Sequence, residues 1–315
     1  MNIWLDDAIY RLQSQGGISR LWNELTPRLK ARLPEATWDR DAKPDLFIST
    51  YYRRAPIGVR SVAVLYDCIH ERLPAIGATH PDAVAKRIAV KEAAAVVAIS
   101  ETTARDCERY FGKRAVVAYC GGAERFERAT PAQVNDFQRR YGILKPYILL
   151  VGRRDGYKYA RGLYEAWPYF AAAQDHLVVA VGGEHRTAAD DDFMRRFPHS
   201  WVRVSIGDGD LKAAYSGATA LAYPSLYEGF GLPLVEAMGC GCPVVLGRDG
   251  AGAEVAGDAG FYGEPLIPRS YAAALNAALD PSERLTHAMT GYERARLFSW
   301  DAMADRMAEV IRSVM

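Results

Sequence analysis

The sequence predicts an α/β protein made of two doubly wound, Rossmann-like domains, and three observations carry that expectation. Short apolar runs rich in β-branched residues alternate with helical stretches along the whole chain, as in a parallel sheet buried on both faces. The series restarts after Gly142-Ile143-Leu144-Lys145-Pro146, so two alternating units are expected rather than one. A length of 315 residues, half of them hydrophobic, suffices for two ordinary cores.

In the first series the runs are Asp45–Ser49, Ser61–Tyr66 and Ala94–Ile99, after a first strand region near the amino terminus. Ser100 is placed to cap the helix that opens at Glu101, with that acid near the positive helix end. In the second series the runs are Tyr147–Val151, Leu177–Val181, Trp201–Ile206, Ala218–Ala222 and Pro243–Leu246. Pro146 and the break around Thr130-Pro131 put the boundary near 140–146, giving domains of residues 1–142 and 143–298. In the last segment, Ser299 to Met315, Trp300, Met303, Met307, Val310 and Ile311 fall at helical spacing behind Ser299 as cap. That helix is expected to complete the first domain.

Composition excludes several classes. The net charge of +1 gives no field for nucleic acid. Residues 1–140 carry five more basic than acidic side chains and the remainder four more acidic than basic. Such a mild bias is compatible with an anionic acceptor or peripheral membrane association. No apolar run approaches the roughly 20 residues a membrane span needs, and no signal-peptide pattern precedes Asp6-Asp7. Five cysteines without framework spacing suit a reducing compartment. The expected setting is therefore the cytoplasm, or the inner face of its membrane. No Cys or His set completes a zinc site.

The densest chemistry lies in Pro224-Ser225-Leu226-Tyr227-Glu228-Gly229-Phe230-Gly231-Leu232-Pro233-Leu234-Val235-Glu236-Ala237-Met238. It follows an apolar strand, so it belongs to the carboxyl end where open α/β sheets bind ligands. Gly229 and Gly231 permit tight turns with exposed amides. Pro233 suits a first helical turn, and the free amides of a helix start attract anions. Glu228 precedes that start and Glu236 lies inside the helix, so one carboxylate can face a sugar hydroxyl while the other holds a ribose diol. A second element, Val151-Gly152-Arg153-Arg154-Asp155-Gly156-Tyr157-Lys158, puts basic groups at a strand end, where they can converge on a diphosphate.

The stretch Glu228-Gly229-Phe230-Gly231-Leu232-Pro233, continuing to Glu236-Ala237-Met238, resembles the E-x7-E signature of the retaining group 1 glycosyltransferases (family 4). The resemblance implies the GT-B fold, in which two Rossmann-like domains face each other across a cleft. It also implies transfer of a hexose from a UDP- or GDP-sugar to a hydroxyl of a glycan or glycolipid, as in polysaccharide biosynthesis. In the resembling family an Arg and a Lys neutralise the donor's pyrophosphate, and these map onto Arg153 and Lys158, with Arg154 as the competing arginine. The family usually has Asn after the Lys, where this chain has Tyr159. Gln15-Gly16-Gly17-Ile18-Ser19-Arg20 resembles the loop that approaches the donor phosphate, which adds Gly16 and Gly17 to the donor side. Gly229, Phe230, Gly231, Leu232 and Glu236 join them, with Gly207 near the base. In Tyr66-Asp67-Cys68-Ile69-His70-Glu71, Asp67 and His70 are both candidates for the transferred sugar.

No cofactor or metal is expected beyond the nucleotide sugar itself. Neither Asp208-Gly209-Asp210 nor Asp190-Asp191-Asp192 is read as a metal site, and Asp210 is read as a helix N-cap. Gly207-Asp208-Gly209 fails as a dinucleotide fingerprint because Lys212 stands where the third Gly belongs. A GT-B sugar-nucleotide epimerase and a non-catalytic nucleotide-sugar-binding protein are the rival readings. The first half is short, passing almost directly from Arg28-Leu29-Lys30-Ala31-Arg32 to the strand at Leu46. The missing loops are those that bind acceptors, so the acceptor is the least legible part.

Overall fold

A computed structural model describes residues 1–13, 16–73, 79–183 and 185–315. The chain forms two compact units, Met1–Gly121 with Phe298–Met315, and Gly122–Leu297. In the first unit β1 (Ile3–Leu5), β2 (Leu46–Ser49), β3 (Arg60–Leu65), β4 (Ala95–Ala98) and β5 (Val116–Val117) form one parallel sheet in sequential order. In the second, β6 (Tyr147–Val151), β7 (Leu177–Val181), β8 (Trp201–Val204), β9 (Ala220–Tyr223), β10 (Val244–Leu246) and β11 (Gly260–Tyr262) are also all parallel, in the order β11-β10-β9-β6-β7-β8. The apolar runs appear as strands within two residues of their expected ends. The short strands β5 and β11 escaped sequence reading because two or three residues show no periodicity.

The burial pattern explains the composition of the strands. Tyr147–Leu150, Leu177–Val181 and Ala220–Tyr223 are buried on both faces, so alternation disappears and only continuous apolar runs remain. In the second unit these strands pack against Leu163, Trp167, Phe193, Tyr271 and Leu275 from the flanking helices. In the first unit helix Gly17–Arg32 buries Leu21, Trp22, Leu25 and Leu29 and packs against helix Trp300–Ser313. Ser299 caps that last helix by accepting from the amides of Asp301 and Ala302, and Ser100 likewise accepts from Thr103. The shortness of the first unit is visible as a sheet built out on one side of β1. The other edge of β1 is covered by a bridge to Thr37, whose carbonyl accepts from Ile3 N–H at 2.9 Å.

The division falls at Gly121-Gly122, about twenty residues before the boundary read from Pro146. Helix Pro131–Tyr141, expected in the first domain, is part of the second unit. It packs on helix Asp208–Gly217, where Arg140 clamps Asp210 with two bonds of 2.6 and 2.9 Å and the Tyr141 hydroxyl adds a third at 2.9 Å. Gly217 meets Val134 so closely that a Cβ there would lie 2.6 Å from a Val134 methyl. Asp210 is correspondingly not a cap: Gly207 holds that position and Asp210 is the third helical residue. The Arg140 guanidinium holds the Asp210 carboxyl below the usual range. Gly121 lies against Trp300 within the first unit and Gly122 against Val235 within the second. Among the described residues, no helix is long and apolar enough to cross a membrane.

The packing predicts a contrast. Leu25→Ala, at a fully buried position, should cost the first unit about 2–5 kcal/mol. Leu144→Ala, where the leucine is 89% exposed, should change stability by less than about 0.5 kcal/mol. Urea denaturation followed by tryptophan fluorescence measures both.

Candidate functional site

Strand order locates the site in the second unit. From β6 the chain builds outward through β7 and β8, then returns to the other side of β6 to lay down β9, β10 and β11. The direction of winding therefore reverses between β6 and β9, and open sheets bind ligands outside the carboxyl ends of the strands at such a reversal. The loop leaving β6 carries Arg153 and Lys158; the loop leaving β9 carries Glu228.

These two loops are joined directly. Lys158 Nζ lies 2.6 Å from Glu228 Oε1, with both side chains largely covered, and Leu226 N–H donates to the Tyr157 carbonyl at 2.8 Å. Lys158 lies 5.2 Å from the centre of the Tyr157 ring and 5.6 Å from that of Tyr223. The Tyr223 hydroxyl is pushed well above its ordinary pKa, first by burial and then by the Glu228 carboxylate, with a smaller contribution from Glu236. It stays a neutral phenol within the field of both glutamates. Tyr223 is a site residue that sequence reasoning missed, since an aromatic ending an apolar strand looks like core.

The β6 loop turns through Gly152 and Gly156, both at positive φ (95° and 55°), and a 3-10 turn over Gly156–Lys158 brings the lysine round. Tyr159 then adopts φ 45°, ψ 45°, a left-handed conformation that Asn tolerates better than Tyr. The turn survives the departure from the family's Asn, with the ring lying over Gly162.

The two arginines have different fates. Arg154 is 4% exposed and donates to Asp190 at 3.0 Å, to the Gly182 carbonyl at 2.7 Å and to the His185 carbonyl at 2.8 Å. It braces the β6 loop against the loop after β7. Asp190 also accepts from the Tyr164 hydroxyl at 2.5 Å and from Thr187 N–H in a capping box, which occupies both its oxygens. Arg153 is exposed and makes a two-bond pair with Asp155 at 3.1 Å each, which lowers the Asp155 pKa. Only Arg153 has its guanidinium at the surface.

Gly231 ends the β9 loop at φ 108° as N-cap of helix Leu232–Gly239, with Pro233 in the first turn and Phe230 buried. Gly229, Phe230, Gly231 and Leu232 thus form the approach to a helix start at the carboxyl end of β9. Glu236 is 3% exposed and accepts from the Tyr215 hydroxyl at 3.0 Å. One of its carboxylate oxygens is thus held by a side chain of helix Asp208–Gly217. Gly207, the N-cap of that same helix, has open space beside its Cα.

The first unit places its own candidates separately. Gly16 is the N-cap and Gly17 the first residue of helix Gly17–Arg32, while Gln15 lies outside the described residues. Asp67 follows β3, and its Oδ1 accepts from Ile69 N–H at 3.0 Å. His70 lies in the short helix Ile69–Arg72 with its ring stacked 5.0 Å from that of His80. Burial lowers the His70 pKa, and the nearby Lys86 charge lowers it further. Among the described residues no group of three or more His, Cys, Asp or Glu side chains is arranged to hold a metal ion.

Comparison with known proteins gives the family and the fold. Residues 135–296, just over half of the chain, match the family "Glycosyl transferases group 1". The chain is 32% identical over 180 residues to the O-antigen chain mannosyltransferase B of Escherichia coli, covering 55% of this chain and 47% of that protein. It thus spans about half the length of that relative. Its fold is similar to that of Anabaena HepE, solved in complex with UDP-glucose (TM-score 0.78, 18% identity, 99% of both chains covered). It is also similar to WaaG, a glycosyltransferase of lipopolysaccharide biosynthesis (TM-score 0.76, 16% identity, 99% of both chains). These likenesses show the fold, two Rossmann-like α/β units of the GT-B class.

The fates of the two arginines can be told apart by stability. Arg154→Ala leaves Asp190 charged and buried and should cost about 3–5 kcal/mol. Arg153→Ala, at an exposed pair, should cost less than about 0.5 kcal/mol. Equal effects in urea denaturation would contradict the division of labour.

Proposed function

The chain belongs to the group 1 glycosyltransferases, and we propose that it moves a hexose from a UDP- or GDP-sugar to a hydroxyl of a glycan or glycolipid. We further propose that the anomeric configuration is retained and that no metal ion is required. The observation that carries the proposal is the 2.6 Å pair of Lys158 with Glu228, set where the second sheet reverses its winding. A cation and a carboxylate fixed together can serve the two halves of a donor, phosphate and sugar. HepE's complex with UDP-glucose and the mannosyltransferase's name support a nucleotide hexose as the donor class.

In this reading the bond from the anomeric carbon to the β-phosphate oxygen breaks, and its electron pair stays on the leaving diphosphate. Lys158 and Arg153 stabilise that growing charge, helped by the amides at the start of helix Leu232–Gly239. Lys158 is already fixed by Glu228, which limits the reorganisation needed as charge develops. Arg153 would exchange Asp155 for phosphate, a substitution of one charge-assisted pair for another. Two such cations supply what a metal ion would otherwise provide. Glu228 would hold sugar hydroxyls through its remaining acceptor capacity. Glu236 would hold the ribose, sharing its carboxylate with Tyr215. On the first unit's side, Asp67 and His70 would contact the transferred sugar, and Gly16 and Gly17 the donor phosphate. The acceptor hydroxyl attacks from the face the diphosphate leaves, and the phosphate takes its proton.

A panel of sugar nucleotides screened for donor consumption, with product configuration read by NMR, tests the class. An inverted product would overturn the retaining assignment. Activity is expected to persist in excess EDTA, and loss with EDTA reversed by Mg²⁺ would overturn the metal-free scheme. Glu228→Ala should lower turnover about a hundredfold with the fold intact. Lys158→Ala should weaken binding of the nucleoside diphosphate and slow transfer further, while leaving the bare nucleoside's affinity nearly unchanged. Calorimetry on both ligands beside single-turnover kinetics separates these effects. Equal loss for nucleoside and diphosphate would remove Lys158 from the phosphate.

A further inference from the structure

Helix Pro81–Glu92 is amphipathic, and its inward face reads Ala83, Lys86, Val90. A lysine therefore occupies a core position, 1% exposed, while Val84 and Ile88 of the same helix face outward. Burying an ammonium costs several kcal/mol unless strong partners repay it. Here the partners belong to one loop. Lys86 Nζ lies 2.7 Å from Glu71 Oε2, 3.6 Å from Asp67 Oδ1, and donates to the Asp67 carbonyl at 3.2 Å. The Glu71 side chain is itself 3% exposed, whereas Asp67 reaches the surface. The loop Tyr66–Arg72 is pinned at two further points. Tyr66 accepts from Trp22 Nε1 and donates to the Thr50 carbonyl, both at 2.7 Å, and Arg72 pairs with Asp106 at 3.2 Å.

We propose that Lys86 is the positioning residue of this loop: its buried ammonium locks Glu71 and the Asp67 backbone, and thereby fixes Asp67 and His70 for the sugar. The proposal rests on the reading of Asp67 and His70 as sugar-side groups. A simpler core would have had leucine at position 86, and leucine could neither hold two carboxylates nor set the charge state of their neighbour. Electrostatics adds a consequence. His70 faces Lys86 and His80, whose charges oppose its protonation, and Asp67 and Glu71, whose charges favour it. His80 in turn sits beside Asp82, and Arg72 with Asp106 closes the far end of the loop. Burial and Lys86 together keep the imidazole neutral near pH 7, able to exchange a hydrogen bond with a sugar hydroxyl.

Two substitutions on the full chain shift this balance in opposite directions. In Lys86→Met the opposing charge is gone, and the His70 pKa should rise. In Glu71→Gln a favouring charge is gone while Lys86 remains, and it should fall. NMR titration of ¹³C-labelled histidines, with the His70 signal assigned through His70→Asn, reads both shifts without requiring activity. Turnover is measured with UDP-glucose and GDP-mannose as the probes. Lys86→Met should lower kcat roughly tenfold to a hundredfold with donor KM little changed, because misplacement of the loop affects the reacting geometry. Lys86→Arg should recover most of that loss. If Lys86→Met does not fold, Glu71→Gln still tests the direction of the shift. An unmoved His70 in both folded variants, or shifts of the same sign, would overturn the proposal and leave Lys86 a packing residue. Opposite shifts as expected, with turnover indifferent to both Lys86→Met and His70→Ala, would instead overturn the sugar-side reading of the loop.

Discussion

The pairing of Lys158 with Glu228 is the contact around which the second unit is arranged. It closes the gap between two loops that leave neighbouring strands in opposite senses of winding, the one place in an open sheet where side chains from separate crossovers meet without a helix between them. The surroundings serve that contact. Gly152 and Gly156 turn the β6 loop, the Leu226 amide fastens it to the β9 loop, and Arg154 anchors it from behind. A 2.6 Å ion pair between flexible side chains would contribute little on an open surface. Here the backbones are already held, so less side-chain freedom is lost and the charges are screened less.

Charge in this protein is divided between scaffold and surface by burial. Arg154 and Asp190 are buried together, and each has its remaining polar atoms bonded to carbonyls, a hydroxyl or an amide. Lys86 and Glu71 are likewise buried together as an ion pair in the first unit. Such pairs are costly to bury and costlier to break, which makes them fixed points for the loops that touch them. Arg153 and Asp155 form a superficially similar pair at the surface, where exchange with another anion costs little. The same residue types, one position apart in the sequence, thus do opposite work.

Much of the fold could be read directly from the chain. A strand buried on both faces must be continuously apolar, so Tyr147–Val151 and Leu177–Val181 announce themselves without alternation. Ser100 and Ser299 could be identified as caps because a helix start needs an acceptor for its free amides, and that requirement is local. Of the candidate site, the Glu228–Glu236 stretch and the basic β6 loop were legible for the same reason: glycines, a proline and charges within a few residues define a strand-to-helix turn.

What required the tertiary structure was everything decided by residues distant in sequence. Pro146 marks a turn, yet the division falls at Gly121-Gly122, because Arg140 and Tyr141 find their partner on a helix some seventy residues later. Which of two adjacent arginines is buried depends on Asp190 and on carbonyls after β7, and no local pattern contains them. Lys86 carries a faint signal, a lysine at a core position of its helix, but its partners Asp67 and Glu71 come from another element. The sequence by itself determined the alternation, the helix caps and the residue types at the strand ends, since these follow from short-range sterics and hydrogen bonding. The tertiary structure decided which charges are buried and which are presented, because the free energy of a charge depends on neighbours that only chain packing supplies.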